Sequence, residues 1–109
     1  MPAPTDVPEI IERYFQVAVD RDRERYFAIF ADDATVEDEG HEHHGIEAIR
    51  AWRSSVPDVV YTITDLEEIG GATVVTAEIS GDFPGSPVTL TFSFEEYDDV
   101  HVRSLRIRA

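Results

Sequence analysis

The sequence predicts a single α+β domain, because helical and strand patterns occupy separate halves of the chain. Apolar residues recur three or four positions apart as far as Val56, and from Val59 onwards they alternate at every second position. Helices followed by a run of strands are typical of helices packed on one side of a mostly antiparallel sheet. The 109 residues contain no repeat and no linker, so residues 1–109 are expected to form one domain with a modest core.

The first helix is expected to begin near Thr5 or Asp6, since both residue types favour the N-cap position. Pro8 and Glu9 then fall in its first turn, where proline and acidic residues are favoured. Its buried face consists of residues at helical spacing, namely Ile10, Ile11, Tyr14, Phe15 and Ala18.

Two shorter helices and one strand are expected before residue 58. The second helix covers about Asp22 to Ala31 and buries Tyr26, Phe27 and Phe30. Residues 34–38 then alternate like a strand. The third helix follows Gly45 and ends at Pro57, with apolar residues three or four apart at Ile46, Ile49, Trp52 and Val56.

The second half of the chain predicts four strands, over residues 59–69, 72–81, 87–97 and 100–108. Gly70-Gly71 is typical of a tight hairpin turn, and residues 97–99 of another turn. Residues 82–87 form a longer turn, because their two prolines forbid regular pairing. A strongly curved sheet that wraps the first helix would leave a cavity at its open end.

Charge and composition exclude several classes of function. The chain contains nine basic residues, all arginine, and 23 acidic residues, which give a net charge of −14. A field of this sign repels nucleic acid and anionic lipid, and it disfavours anionic substrates unless an arginine is locally exposed. The absence of cysteine excludes disulfides, thiol nucleophiles and thiolate metal sites. No long apolar run or secretory signal pattern is present, so a cytoplasmic protein is expected.

Asp38 is the most informative candidate for a catalytic residue. If residues 34–38 form a strand with Val36 facing the core, alternation directs Asp38 to the same side. A carboxylate in an apolar interior must be paired, protonated or functional, and such a group suits a general base. The alternative is that the strand ends earlier and Asp38 only opens the turn before Gly40.

Tyr14 is the second candidate, since it lies on the buried face of the first helix. A buried tyrosine usually finds a hydrogen-bond partner for its hydroxyl group, and that partner could be a ligand oxygen or a developing oxyanion. The alternative is an ordinary core aromatic residue at helical spacing.

The segment His41-Glu42-His43-His44 has the composition of a zinc or nickel site. The flanking glycines Gly40 and Gly45 favour a solvated loop instead, and no metal is expected. A third interpretation places His43 or His44 at the rim of a ligand pocket.

Two segments resemble the NTF2-like superfamily. They are FADDATVED at residues 30–38 and GIEAIR at residues 45–50, and Arg13-Tyr14 stands at the matching distance before the first. Within that superfamily the chain resembles SnoaL-like proteins and, most closely, bacterial ketosteroid isomerases.

The resemblance implies a cone-shaped curved sheet wrapped around the N-terminal helices, an apolar pocket, no cofactor and a homodimer formed through the sheet. It implies that Asp38 is the base that moves a proton beside a carbonyl group, and that Tyr14 donates to the oxyanion. The ligand would be a small apolar compound, steroid-like or polyketide-like. The residues expected to contact it are Phe15, Ala18, Phe30, Val36, His44, Trp52, Leu90 and Phe92.

One departure from the isomerase pattern affects the expected function. The second oxyanion donor should lie near Leu90 or Phe92, and neither side chain can donate a hydrogen bond. Three interpretations therefore stay open: a cofactor-independent proton-transfer enzyme, a non-catalytic module that binds an apolar ligand, and an association domain that dimerises through its sheet.

Overall fold

The computed structural model describes residues 8–56 and 58–109, and it confirms the predicted α+β class. The helices are α1 (Glu9–Val17), α2 (Arg23–Phe27) and α3 (Ile46–Ser54). The strands are β1 (Phe30–Asp38), β2 (His41–His44), β3 (Val59–Ile69), β4 (Ala72–Gly81), β5 (Val88–Tyr97) and β6 (Val102–Arg108). They form one curved, unclosed sheet in the order β2-β1-β6-β5-β4-β3. Strands β1 and β6 pair in parallel, and the other neighbours pair antiparallel.

The core lies between helix α1 and the concave face of the sheet. Alternate residues of the strands point into it, and the innermost of these include Val36, Val75, Ala77, Phe94 and Leu105. Helix α1 contributes Ile10, Ile11, Tyr14 and Phe15 of its predicted apolar face, all buried, whereas Ala18 follows the helix and is half-buried. Burial of each large apolar side chain contributes roughly 1.5–3 kcal/mol to the free energy of unfolding. Because the apolar residues occupy every second position of a strand, the face that carries them turns towards the core.

Some predicted helix ends lie outside the described residues. Thr5 and Asp6, the expected N-cap candidates, are among them, and so is Pro57. Helix α1 begins at Glu9 with Pro8 in the N-cap position, and α3 ends at Ser54. Within residues 8–56 and 58–109, no helix has the length and apolar character needed to cross a bilayer.

The second helix is shorter than predicted, because its expected last residues belong to strand β1. Helix α2 ends at Phe27, and the chain pairs with β6 from Phe30 onwards. The amide of Val102 also donates to the carbonyl of Ile29 at 2.7 Å. This parallel pairing joins residues about 70 positions apart, and it overrides the local helical pattern at Phe30 and Ala31. The burial of Tyr26, Phe27 and Phe30 is nevertheless as predicted.

The histidine segment is a strand and not the expected loop. Residues 41–44 form β2, which pairs antiparallel with β1 so that Asp38 stands opposite His41. The two residues between them, Glu39 and Gly40, have positive φ angles of 50° and 84°. Positive φ at both central positions defines the turn that suits a two-residue hairpin, and glycine reaches this conformation without strain.

The C-terminal strands match the prediction closely. Strands β3 and β4 have the predicted bounds and are joined by the expected Gly70-Gly71 turn. Strand β5 begins at Val88, one residue late, because Pro87 has no amide hydrogen to donate. Strand β6 begins two residues late, because Asp98 accepts hydrogen bonds from the amides of Val100 and His101 and holds them in the turn.

Candidate functional site

An apolar cavity of about 300 Å³ lies between the inner face of the sheet and helices α1 and α3. Much of its wall consists of strand residues, namely Ile79, Val88, Leu90, Phe92 and Ile107. Five side chains with polar atoms also line it: Tyr14, Asp38, Trp52, Arg53 and Tyr61. An apolar wall with a few converging polar groups is typical of a site for a small organic ligand, and the volume is at the lower end for such sites.

Asp38 reaches the cavity because strand β1 continues to this residue. Val36 is fully buried, and alternation places the Asp38 carboxylate on the same side of the sheet. The indole Nε1 of Trp52 donates a 2.9 Å hydrogen bond to Oδ2 of Asp38. Oδ1 has no recorded partner, and no buried side-chain oxygen is unpartnered in the described part of the chain. Oδ1 is therefore the oxygen that a ligand or solvent can reach.

Trp52 is held in place by its neighbours on helix α3 and strand β2. It lies one helical turn after the fully buried Ile49, so both side chains face the sheet. The ring of His43 stacks on the indole with centroids 5.7 Å apart. The indole can therefore fix the orientation of the Asp38 carboxylate.

Tyr14 lies at the centre of an aromatic cluster and is fully buried. Its ring makes edge-on contacts with Phe94 and Phe30, at centroid distances of 5.2 Å and 6.2 Å. Its hydroxyl group is 2.9 Å from the hydroxyl group of Tyr26. Burial, with a smaller effect from the neighbouring Tyr26, raises the pKa of Tyr14 well above its usual value of 10.0. Tyr14 consequently keeps its proton at neutral pH and can act as a hydrogen-bond donor.

Arg53 and Tyr61 complete the polar part of the wall. The Arg53 side chain is buried, and its Nη2 donates to the carbonyl of Ala18 at 3.0 Å and to the Tyr61 hydroxyl at 3.2 Å. Its guanidinium carbon lies 4.2 Å from the centroid of the Tyr26 ring, a cation–π contact. Because the Tyr61 oxygen accepts from Arg53, its own hydrogen is available to another acceptor.

The cavity brings together half of the residues singled out in the sequence. Both proposed catalytic residues, Tyr14 and Asp38, line it, as do Trp52, Leu90 and Phe92. Leu90 and Phe92 present only carbon atoms, so the expected position of a second oxyanion donor carries none.

The other residues expected to contact the ligand do not line this cavity. Phe30 and Val36 are buried in the hydrophobic core and do not reach the cavity wall. Phe15 borders a different pocket, between helix α1 and strand β3. Ala18 borders a separate cavity that Arg53 also lines. His44 is exposed, and its Nδ1 is 2.8 Å from the hydroxyl oxygen of Thr35. Successive residues of a strand face opposite ways, so it is His43 that turns towards Trp52.

The histidines of strand β2 do not converge. In residues 8–56 and 58–109, no group of three or more histidine, aspartate or glutamate side chains is arranged to hold a metal ion. Alternation along β2 places His44 on the face of the sheet opposite to His41 and His43, so the three rings cannot meet at one ion.

Sequence reasoning missed Arg53 and Tyr61, although both left a signal. Arg53 stands four residues after Ile49, so it lies on the buried side of helix α3. An arginine in such a position is unusual enough to mark a site. Tyr61 alternates with Val59 along β3, but the pattern does not indicate that its hydroxyl group meets an arginine.

Comparison with known proteins identifies the family of the chain. Residues 11–107 match the model of the SnoaL-like domain. A Sinorhizobium meliloti structure described as a "putative polyketide cyclase" is 38% identical, with 94% of this chain and 96% of that chain covered and a TM-score of 0.84. No curated protein matches the sequence.

Two more distant structures share the fold. A Catenulispora acidiphila protein with a ketosteroid isomerase-like fold, in complex with trimethylamine, is 20% identical over 95% of this chain and 87% of its own, with a TM-score of 0.77. An NTF2-like protein of unknown function from Cytophaga hutchinsonii is 10% identical over 99% and 93%, with a TM-score of 0.75. The family match over residues 11–107 and the 38% identity together show that this chain is a member of the SnoaL-like family, with the NTF2-like fold.

Proposed function

We propose that this protein is a cofactor-independent enzyme that moves a proton on a carbon atom next to a carbonyl group in a small apolar ligand. One observation carries the proposal: the carboxylate of Asp38 and the hydroxyl-bearing Tyr14 line the same apolar cavity of about 300 Å³. Enolate formation needs a base and a neutral hydrogen-bond donor, and here both line one apolar cavity.

The reaction begins at Oδ1 of Asp38. This oxygen removes a proton from the α-carbon, and the electron pair of the broken C–H bond moves into the carbonyl group to form an enolate. In a ligand with a C=C bond beside the α-carbon, return of the proton to the far carbon of that bond shifts the double bond into conjugation and completes an isomerisation. Attack of the enolate carbon on a second carbonyl group of the same ligand, followed by protonation of the new alkoxide, completes a cyclisation.

The likeness to the Sinorhizobium meliloti protein favours a polyketide-like ligand, and the ketosteroid isomerase-like fold favours a steroid-like one. Isomerisation and cyclisation begin with the same proton transfer to Asp38, so the proposal rests on that step.

Trp52 acts as a positioning residue in this mechanism. Its hydrogen bond occupies Oδ2, so Oδ1 is the atom directed to the substrate. A fixed carboxylate shortens the search for a productive geometry, which is a large part of what an active site contributes.

Two tyrosines supply donors for the enolate oxygen. When Tyr26 donates to the Tyr14 oxygen, the Tyr14 hydrogen is left for the ligand. Tyr61 supplies the second donor in the same way, since Arg53 occupies its acceptor site. Tyr61 thereby replaces the donor that Leu90 and Phe92 lack, and one such donor is worth about a hundredfold or more in rate.

Ultraviolet detection of the isomerisation of a 3-oxo-Δ5-steroid to the conjugated enone tests the proposal. We expect turnover by the wild type and its loss in Asp38→Ala, with binding retained. Asp32→Asn is the matched control, because Asp32 is an exposed carboxylate on the same strand β1. A steroid that raises the melting temperature but is not converted would instead support the non-catalytic binding module.

A further inference from the structure

Arg53 is a buried cation that forms no ion pair with any of the described residues. Its side chain is 8% exposed. The recorded ion pairs involve six other arginines, at positions 23, 25, 50, 103, 106 and 108. The recorded contacts of the Arg53 guanidinium are all neutral: a carbonyl oxygen, a phenol and two aromatic rings. A buried charge of this kind is costly unless a counter-charge compensates it.

The guanidinium also has hydrogen-bond donors to spare. Both recorded hydrogen bonds start from Nη2, which leaves the hydrogens of Nε and Nη1 without a recorded acceptor. In the described part of the chain, no fully buried side-chain nitrogen lacks a partner. Nε and Nη1 are therefore reached from open space, and the spaces that Arg53 lines are two cavities.

The surrounding charges indicate where a counter-ion would bind. The second cavity, of about 390 Å³, carries Asp20 and Asp58 against Arg21 and Arg23, so its charges balance without Arg53. The apolar cavity carries Asp38, whose Oδ2 accepts from Trp52 and which makes no recorded ion pair with Arg53. Asp38 offsets the charge of Arg53 but forms no hydrogen bond or ion pair with it, so the free donors of Arg53, on the wall between the two cavities, have no charged acceptor in the described part of the chain.

We propose that the natural ligand carries a carboxylate group that binds to Arg53, while its apolar body occupies the cavity that holds Asp38 and Tyr14. A chain of net charge −14 repels anions at long range, so an anionic ligand needs a local cation of this kind. Arginine is well suited to the task, since it stays charged and its planar donors match a carboxylate. This proposal deepens the proposed function by naming a substrate class, and it rests on the cavity as a ligand site but not on catalysis.

Two probes of equal shape test the proposal by isothermal titration calorimetry on the wild type. The first is 2-naphthoate, which carries the carboxylate, and the second is 2-acetonaphthone, its neutral ketone counterpart. We expect 2-naphthoate to bind about tenfold or more tightly than the ketone, since hydrogen bonds to charged groups contribute more than neutral ones. Equal binding, or tighter binding of the ketone, would overturn the proposal.

Variants locate the preference at Arg53. Arg53→Met should remove the preference, so that 2-naphthoate binds no more tightly than the ketone in this variant. Arg50→Met is the matched control, because Arg50 lies on the same helix but is exposed and paired with Glu24. It should keep the preference. A preference that survives in Arg53→Met would contradict the proposal.

A measurement on the wild type covers the case in which Arg53→Met does not fold. The ¹⁵N-labelled guanidinium signal of Arg53, assigned with Arg53→Lys, should shift on addition of 2-naphthoate and not on addition of the ketone. A signal that does not move with 2-naphthoate would refute the assignment.

Asp38→Asn separates this proposal from the proposed enzyme activity. The substitution removes the base and a like charge from the cavity, so it should abolish proton transfer while 2-naphthoate binds at least as tightly as before. Anion binding without any turnover in the wild type would support the site and refute the enzyme. Turnover of neutral ketones without anion preference would do the reverse.

Discussion

Replacement of Tyr14 by phenylalanine should destabilise the protein although the ring remains in place. The lost hydroxyl group is the recorded partner of the Tyr26 hydroxyl group, 2.9 Å away, and Tyr26 is only 2% exposed. A buried hydroxyl group left without a partner costs about 1–3 kcal/mol of the free energy of unfolding. In a domain of this size, each kcal/mol corresponds to a fall of roughly 4–8 °C in melting temperature.

The double variant Tyr14→Phe/Tyr26→Phe makes the prediction sharper. Removal of both hydroxyl groups leaves no unpartnered polar atom, so the double variant should be more stable than Tyr14→Phe alone. Urea denaturation with circular dichroism measures both differences, and an unchanged m-value confirms that the unfolding transitions are comparable. Wild-type stability of Tyr14→Phe would show that the buried hydrogen bond does not have the role assigned to it. So would a double variant whose loss of unfolding free energy equals the sum of the losses in Tyr14→Phe and Tyr26→Phe.

Three further predictions concern other parts of the molecule. The hydrogen bond from Arg108 lowers the pKa of Glu37 in the folded state, so Glu37→Gln should lower the melting temperature at pH 7. This difference in melting temperature should vanish as the pH falls through the lowered pKa, because the carboxylate is then protonated. An equal loss at every pH would contradict the prediction. Gly40→Ala should cost about 1 kcal/mol or more in urea denaturation, because φ is 84° there; an unchanged midpoint would refute the assigned turn. Ile63 is 48% exposed on β3, so a homodimer formed through the sheet would bury it. Ile63→Glu should then separate the subunits and halve the mass measured by sedimentation. A wild-type protein that sediments as a monomer would contradict this assembly.

The sequence predicts most of the fold because its signals are local. The two-residue period from Val59 and the glycine pair at residues 70–71 depend on neighbouring residues, and they place β3 and β4 correctly. The start of β1 at Phe30 depends on pairing with β6 at the other end of the chain, which no local pattern reveals. Strand β2 consists of polar residues at the edge of the sheet, so it lacks the apolar alternation that marks a buried strand.

The candidate site divides in the same way. Tyr14 and Asp38 can be found because each lies on the inward face of a regular element and one segment resembles a known family. The link between Arg53 and Tyr61 joins two elements across the cavity, and the hydrogen bond from Trp52 to Asp38 does the same. Contacts of this kind follow from how the helices lie on the curved sheet, so they require coordinates.

Hydrogen–deuterium exchange at the α-carbon of a neutral ketone tests the central claim most directly, because it detects proton removal whatever product the natural reaction forms. In D₂O, the acetyl methyl signal of 2-acetonaphthone is followed by ¹H NMR with the wild type, Asp38→Asn and the control Asp32→Asn. We expect the wild type and the control to accelerate the exchange, and Asp38→Asn to lose about a hundredfold or more of that acceleration. Exchange at the wild-type rate in Asp38→Asn would show that Asp38 is not the base.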